Sequence, residues 1–150
     1  QRTRRGLDRK LVATLDKDQH YNLNRASNVV LDEDTPYDIE YILGLLNSNL
    51  LDMYFNWIFD EYEVKPSHLN KIPIKELEIN GTTDTDISNI KKKYQDYISS
   101  EISLQEVIQS FENKNDQQKH DILAFFAKTI GKNKTELKDM NLNLLDYLGY

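Results

Sequence analysis

Between residue 37 and about residue 59, apolar side chains recur three or four positions apart. Ile39, Ile42, Leu46, Leu50, Met53 and Trp57 form the stripe, and Leu43, Tyr54 and Ile58 widen it. That period is the signature of an α-helix. A helix apolar over so much of its girth must be packed on several sides, so it is the expected centre of the fold. Asn47-Ser48-Asn49 interrupts it. Short polar side chains compete for backbone hydrogen bonds and disfavour a helix interior. One helix is therefore expected to end there and a second to begin with Ser48 as its cap.

Upstream the period shortens to two. Leu11, Ala13 and Leu15 share one face of residues 10–15, residues 21–24 alternate again, and Val29-Val30-Leu31 is a short β-branched run. Asp16-Lys17-Asp18-Gln19 reads as a turn, so a small antiparallel meander is expected over residues 10–31. Asp32-Glu33-Asp34-Thr35-Pro36 is acidic punctuation, with Thr35 or Pro36 suited to open the central helix. Residues 60–82 are irregular. Strands are expected at 71–74 and 77–79, and Asn80-Gly81 signals a turn.

After Thr82 the pattern predicts three or four amphipathic helices. Ile87, Ile90, Tyr94, Tyr97 and Ile98 make the first stripe. Ser103-Leu104-Gln105-Glu106 is a capping box ahead of Val107, Ile108 and Phe111. Asp116 is the expected cap of a third helix, with Ile122, Phe125, Phe126 and Ile130 inside and Gly131 at its end. Residues 134–148 give a weaker fourth. The expected fold class is α+β, mainly helical: a small N-terminal antiparallel sheet packed on a central helix. Residues 1–82 form the expected core unit and residues 83–150 a helical extension.

Composition narrows the class. At 150 residues, 39% apolar and with fifteen aromatic side chains, the chain has the bulk for a true core. It lacks cysteine, which excludes disulfides and thiolate metal sites and favours a reducing, cytoplasmic setting. The longest apolar runs fall short of the ~20 residues that a membrane span needs, so no membrane partner is expected. The basic start has no apolar segment behind it to make a signal peptide. Opening on Gln1 rather than Met suggests a piece of a longer protein.

The net charge of −6 hides a division. All five arginines lie within residues 1–25, and residues 1–30 carry a local +4 against −10 for the remainder. An acidic body repels DNA at long range. A basic edge on that body still permits binding in one orientation.

Catalytic motifs are missing from the sequence. It has no Asn/Asp-Pro-Pro-Tyr/Phe loop of the kind that holds a flipped base in adenine methyltransferases. It has no glycine-rich cofactor loop and no P-loop, and only five glycines in all. His20, His68 and His120 are scattered without ligand spacing and read as surface or partly packed residues. Glu63-Val64-Lys65 matches the tail of a nuclease Glu-x-Lys element but lacks the upstream Pro-Asp. Catalysis in this chain is not expected, and neither is a cofactor or metal of its own.

Three segments in order carry a resemblance. A basic lead-in with a strand spans residues 1–23. Leu45-Leu46-Asn47-Ser48-Asn49-Leu50-Leu51-Asp52-Met53-Tyr54-Phe55 matches a Leu-Leu-Asn-Ser-x-Leu-Leu-x-x-Tyr-Phe helix, and Leu69-Asn70-Lys71-Ile72-Pro73-Ile74 matches a closing Leu-x-x-Leu/Ile-Pro-Ile segment. Over roughly residues 1–80 the chain resembles the TaqI-like C-terminal specificity domains of restriction-modification enzymes. The resemblance implies a non-catalytic domain that reads a DNA sequence for a fused or associated methyltransferase. The parent enzyme would be a site-specific DNA adenine methyltransferase using S-adenosylmethionine, in some cases joined to an endonuclease.

The motif leucines and aromatics (Leu45, Leu46, Leu50, Leu51, Tyr54, Phe55) read as core rather than as contacts, and Ile72-Pro73-Ile74 as a rigid brace. The expected contacts with double-stranded DNA are Arg2, Arg4, Arg5, Arg9, Lys10, Asn22, Asn24 and Arg25, with Lys65 and Lys71 behind them. Arginine pairs with guanine and asparagine with adenine, and both also bind phosphate. Lys91-Lys92-Lys93 reads as a solvated helix face. The competing function is a helical protein-interaction or oligomerisation module, centred on the acidic half after Thr82.

Overall fold

The computed structural model describes residues 9–18, 20, 26–61, 63–79, 87–112 and 114–148. Among these the chain forms six helices: α1 (Ile39–Leu46), α2 (Asn49–Ile58), α3 (Pro66–Leu69), α4 (Ile87–Ile98), α5 (Leu104–Glu112) and α6 (Asp116–Leu148). No described helix is long and apolar enough to cross a membrane.

The central helix breaks where its polar triplet falls. Asn47 ends α1, and its backbone N–H donates to the carbonyl of Leu43. Ser48 then caps α2, its Oγ accepting from the Leu51 N–H at 3.2 Å. The break also resets the helical phase. In α1 the stripe holds at Ile42 and Leu46, which are buried together with Tyr41 from outside it, while Ile39 is half-buried. In α2 the buried residues are Leu51, Asp52 and Phe55, and Phe59 follows them into the core. Leu50 and Met53 face outward, and Trp57 is 87% exposed. The expectation that Leu50 belongs to the core is thereby corrected, and the same shift moves Met53 and Trp57 out of the stripe.

The expected antiparallel sheet is also overturned. Among the described residues there is no β-strand, only an isolated bridge position at Glu63. Residues 10–15 do run with the expected alternation, Leu11 buried, Ala13 and Leu15 half-buried, Val12 and Thr14 exposed. Their backbone groups, however, pair with side chains from α1 and α2 rather than with a neighbouring strand. The expected strand at 21–24 lies outside the described residues. The segments expected as strands at 71–74 and 77–79 are irregular: of residues 71–74 Ile72 alone is buried, and the Leu77 N–H is held by the Tyr37 hydroxyl at 3.0 Å. The described residues are helical with extended connections.

One core joins these pieces. Leu11, Tyr41, Ile42, Leu46, Leu51, Phe55, Phe59, Val64 and Ile72 pack together with Ala124 of α6. Gly44 makes that last contact possible. A Cβ added there would lie 3.3 Å from the Ala127 Cβ and 3.6 Å from the Leu123 carbonyl oxygen, so the two helices pass closely at this glycine. His120 seals the junction. It is 2% exposed, tilts against Tyr41 at 4.8 Å, accepts the Asp38 N–H on Nε2 at 2.9 Å and meets Asp121 through Nδ1 at 3.0 Å.

Farther along, the Ser103–Glu106 capping box forms in full: the Ser103 N–H and Oγ donate to Glu106 Oε2, and Ser103 Oγ accepts the Glu106 N–H. The α4–α5 link is a Schellman turn, with Ser100 at φ 60° and Glu101 N–H returning to the Asp96 carbonyl. Two expectations for α6 are corrected. Asn115 rather than Asp116 caps it, accepting the Gln118 N–H at 2.8 Å. Gly131 does not end it, and the helix runs on through the expected fourth segment for 33 residues, about 50 Å.

Candidate nucleic-acid interface

Asp52 is the single charged residue between positions 41 and 59. It is 7% exposed, which an ionisable side chain tolerates only with hydrogen-bond partners. The basic lead-in supplies them. Asp52 Oδ1 accepts the backbone N–H of Lys10 at 2.9 Å and of Leu11 at 2.7 Å, and Asn56 Nδ2 donates to Oδ2 at 3.3 Å. One turn of chain earlier, at the junction, Asn47 Oδ1 accepts the Ala13 N–H at 3.1 Å while Asn47 Nδ2 donates to the Ala13 carbonyl at 2.9 Å. Leu11, between these two grips, is buried in the core. The register of the lead-in is therefore fixed at three points, and a one-residue slip would expose Leu11 and break both polar contacts.

The cations of this segment are drawn in with it. The Arg9 guanidinium donates through Nη2 to the Asn47 carbonyl at the C-terminal end of α1, where a positive charge also meets the helix dipole. Its Nε is buried with no partner among the described residues. Lys10 Nζ reaches the Phe59 carbonyl at 3.3 Å.

Phe59 leads to the other two lysines. Its ring stacks on buried His68 at 4.5 Å, and Phe55 meets the same imidazole edge-on at 5.8 Å. His68 sits in the single turn α3, opened by Pro66 at a position proline favours. His68 Nδ1 accepts the Lys65 N–H, and its carbonyl accepts the Lys71 N–H. Lys10 thus reaches the Phe59–His68 stack through its ammonium, and Lys65 and Lys71 through their backbone N–H groups. The Lys65 ammonium pairs with Glu61. That partner raises the lysine pKa and lowers the glutamate pKa. Lys71 is exposed. Arg2, Arg4, Arg5, Asn22, Asn24 and Arg25 lie outside the described residues.

Residues 4–74 match the family model of the TaqI-like C-terminal specificity domain. Over this segment the chain is similar to that family. No curated protein matches the chain, and no solved structure does. A TaqI-like specificity domain points to DNA target recognition in a restriction-modification protein.

Within this segment, the structure gives the motif residues separate tasks. The Asn of the helix motif, Asn47, holds the lead-in, Ser48 caps α2, and Leu51 and Phe55 fill the core. In the closing motif Ile72 is buried while Ile74 is partly exposed. Asp52 is the residue that sequence reasoning missed. Its signal is a lone carboxylate in a long uncharged stretch, on the face of α2 that turns inward. His68 and His120 are fully packed rather than surface residues. The polar side chains of Asn47 and Asp52 hold backbone of the lead-in, while Lys65 and Lys71 are exposed.

Proposed function

We propose that this chain is the target-recognition part of a restriction-modification methyltransferase, with or without an attached nuclease, and performs no chemistry itself. The observation that carries the reading is the three-point grip of Asn47, Asp52 and the Leu11 pocket on the basic lead-in. DNA readers need side chains held in a fixed register against the duplex. Arg2, Arg4 and Arg5 precede that grip directly in the chain and are the first candidates for contact. Exposed Lys65 and Lys71, with half-buried Lys10, are the candidates for phosphate contact, and Asn22, Asn24 and Arg25 join them on sequence alone. Arg9, already bound to the end of α1, supports the segment more than it reads bases. S-adenosylmethionine belongs to the methyltransferase domain, because this chain has no glycine-rich loop to receive it.

The test is duplex binding by the full-length protein against salt, with Arg2, Arg4 and Arg5 replaced by alanine. Loss of discrimination between a selected duplex and random DNA is the expected result. Unchanged affinity and discrimination would remove these arginines from the interface.

A further inference from the structure

A second cationic surface lies outside the family segment, where α4 meets α6. Lys91, Lys92 and Lys93 occupy α4, and Lys128, Lys132 and Lys134 occupy α6; no carboxylate lies within residues 87–95 or 122–135. In a chain of net charge −6 this is a marked local reversal. The two groups are brought together by aromatic contacts. Lys91 Nζ stands 6.0 Å from the centre of the Phe125 ring, and Tyr94 and Phe126 lie 5.7 Å apart. Lys128 follows Phe125 by three residues, which places it beside Phe125 on the same helix face. Lys91, Lys92 and Lys128 are all exposed. Asp96, a turn farther along α4, and Asp121, a turn before Phe125 on α6, are the next acidic residues along the two helices.

This surface adjoins the grip on the lead-in. Ala127, the neighbour of Lys128, abuts Gly44 of α1. Three residues beyond Gly44, about 4.5 Å along the helix axis, stands Asn47, which holds Arg9 and Ala13. Lys128 therefore stands beside the crossing of α1 and α6, closer to the grip on the lead-in than the ~34 Å of one DNA turn.

We propose that Lys91, Lys92 and Lys128 form an auxiliary surface for the phosphate backbone of duplex DNA, touching the duplex beside the recognised sequence. The proposal rests on the target-recognition reading and extends its footprint past residue 74. Lysine suits this task. Its ammonium is a compact point charge on a flexible stem that neutralises phosphate without the planar fork that reads guanine. The Lys91 ammonium lies over the Phe125 ring, a contact that positions the charge without neutralising it. Such contacts add affinity and steering but no sequence preference.

The experiment compares the full-length protein with its Lys91→Gln/Lys128→Gln variant. Each binds a duplex selected from a random pool, and an unrelated duplex, over a series of KCl concentrations. The expected result is a log–log salt slope shallower by about 1 per lysine removed, with both duplexes weakened by the same factor and their ratio unchanged. An unchanged slope with intact discrimination overturns the proposal alone and leaves the target-recognition reading standing. A changed ratio overturns it too, since it would mean that the lysines read bases. So would an unaltered DNA slope together with lost binding to anionic phospholipid vesicles. If the unmodified protein prefers no duplex at all, the target-recognition reading falls first and this surface with it. Far-UV circular dichroism checks that the exposed substitutions leave the helices formed.

Discussion

Asn47 and Ala13 exchange the two hydrogen bonds of a β-bridge, although one partner is a side chain. The amide of Asn47 accepts from the Ala13 N–H at 3.1 Å and donates to its carbonyl at 2.9 Å. A carboxamide carries an acceptor and a donor side by side, as a peptide group does, so it can stand in for a neighbouring strand. Asn47→Ala leaves both Ala13 groups without a protein partner. Because the site is half-buried, the expected loss is about 2 kcal/mol, measured as a lower urea midpoint with an unchanged denaturant slope. A loss under about 0.5 kcal/mol would mean that water replaces the amide without penalty.

Asp52 is the second anchor, and two substitutions separate its parts. Asp52→Ala removes the acceptor for the Lys10 and Leu11 N–H groups and leaves a buried gap, with an expected cost of about 3 kcal/mol. Asp52→Asn keeps one oxygen for both N–H groups but turns its own NH2 toward Asn56 Nδ2, donor against donor. It should fall between wild type and alanine. The order of the three unfolding midpoints checks this, and equal values for the two variants would show that the charge itself does the holding.

These anchors also mark how much could be read from the sequence. Alternation at residues 10–15 foretold which side chains face inward, because burial alone sets that pattern. It could not name the hydrogen-bond partner, and a side chain took the place that a strand was expected to fill. The Asn47-Ser48-Asn49 break and the Ser48 cap were legible from local chemistry. The phase shift they cause was not, so a stripe continued through the break assigned Leu50 to the core and missed Asp52 as an inward residue. Gly131 shows the same limit at longer range. Glycine is a common helix end, but the helix-compatible residues on both sides carry α6 past it. The outer arginines were legible only as a charge cluster, since covalent sequence does not say what a cation faces.

The phase shift in α2 predicts opposite outcomes for two neighbouring aromatic residues. Phe55 is fully buried, and Phe55→Ala should cost about 3–5 kcal/mol through lost burial and the cavity left behind. Trp57→Ala, two residues on, should stay within about 0.5 kcal/mol of wild type. Chemical denaturation of both variants decides the matter. A large loss at Trp57 would place that ring in contacts absent from the structure.

The two described glycines respond differently to the same added methyl. At Gly131 nothing lies within 4 Å of a new Cβ, so Gly131→Ala should stabilise α6 by about 1 kcal/mol through backbone entropy and helix propensity. At Gly44 the new Cβ meets Ala127 at 3.3 Å, and a larger group cannot fit without parting α1 from α6. Gly44→Val is expected to cost about 1–3 kcal/mol. Thermal melts of the two variants should move in opposite directions, and a Gly44→Val melt at or above wild type would refute the close crossing.

Acid should expose the contribution of the caps and ties in the C-terminal half. Lys75 donates to Asp116 at 3.2 Å and holds that carboxyl below its ordinary value of 3.8, although partial burial opposes the shift. The backbone and hydroxyl of Ser103 do the same for Glu106, ordinarily 4.5. Both carboxylates lie in the first turn of a helix, where negative charge is also favoured by the dipole. In each case the folded chain holds the proton less tightly than the unfolded chain. Stability from these groups is therefore complete above the ordinary carboxylate values and is lost as pH falls through the lowered ones. Asp116→Asn and Glu106→Gln should each be less stable than wild type at pH 6, with the difference shrinking to nothing as the solution is acidified toward pH 2. Unfolding midpoints measured across that range give the test. A deficit that stays constant with pH would assign the effect to the shape of the side chain rather than to its charge.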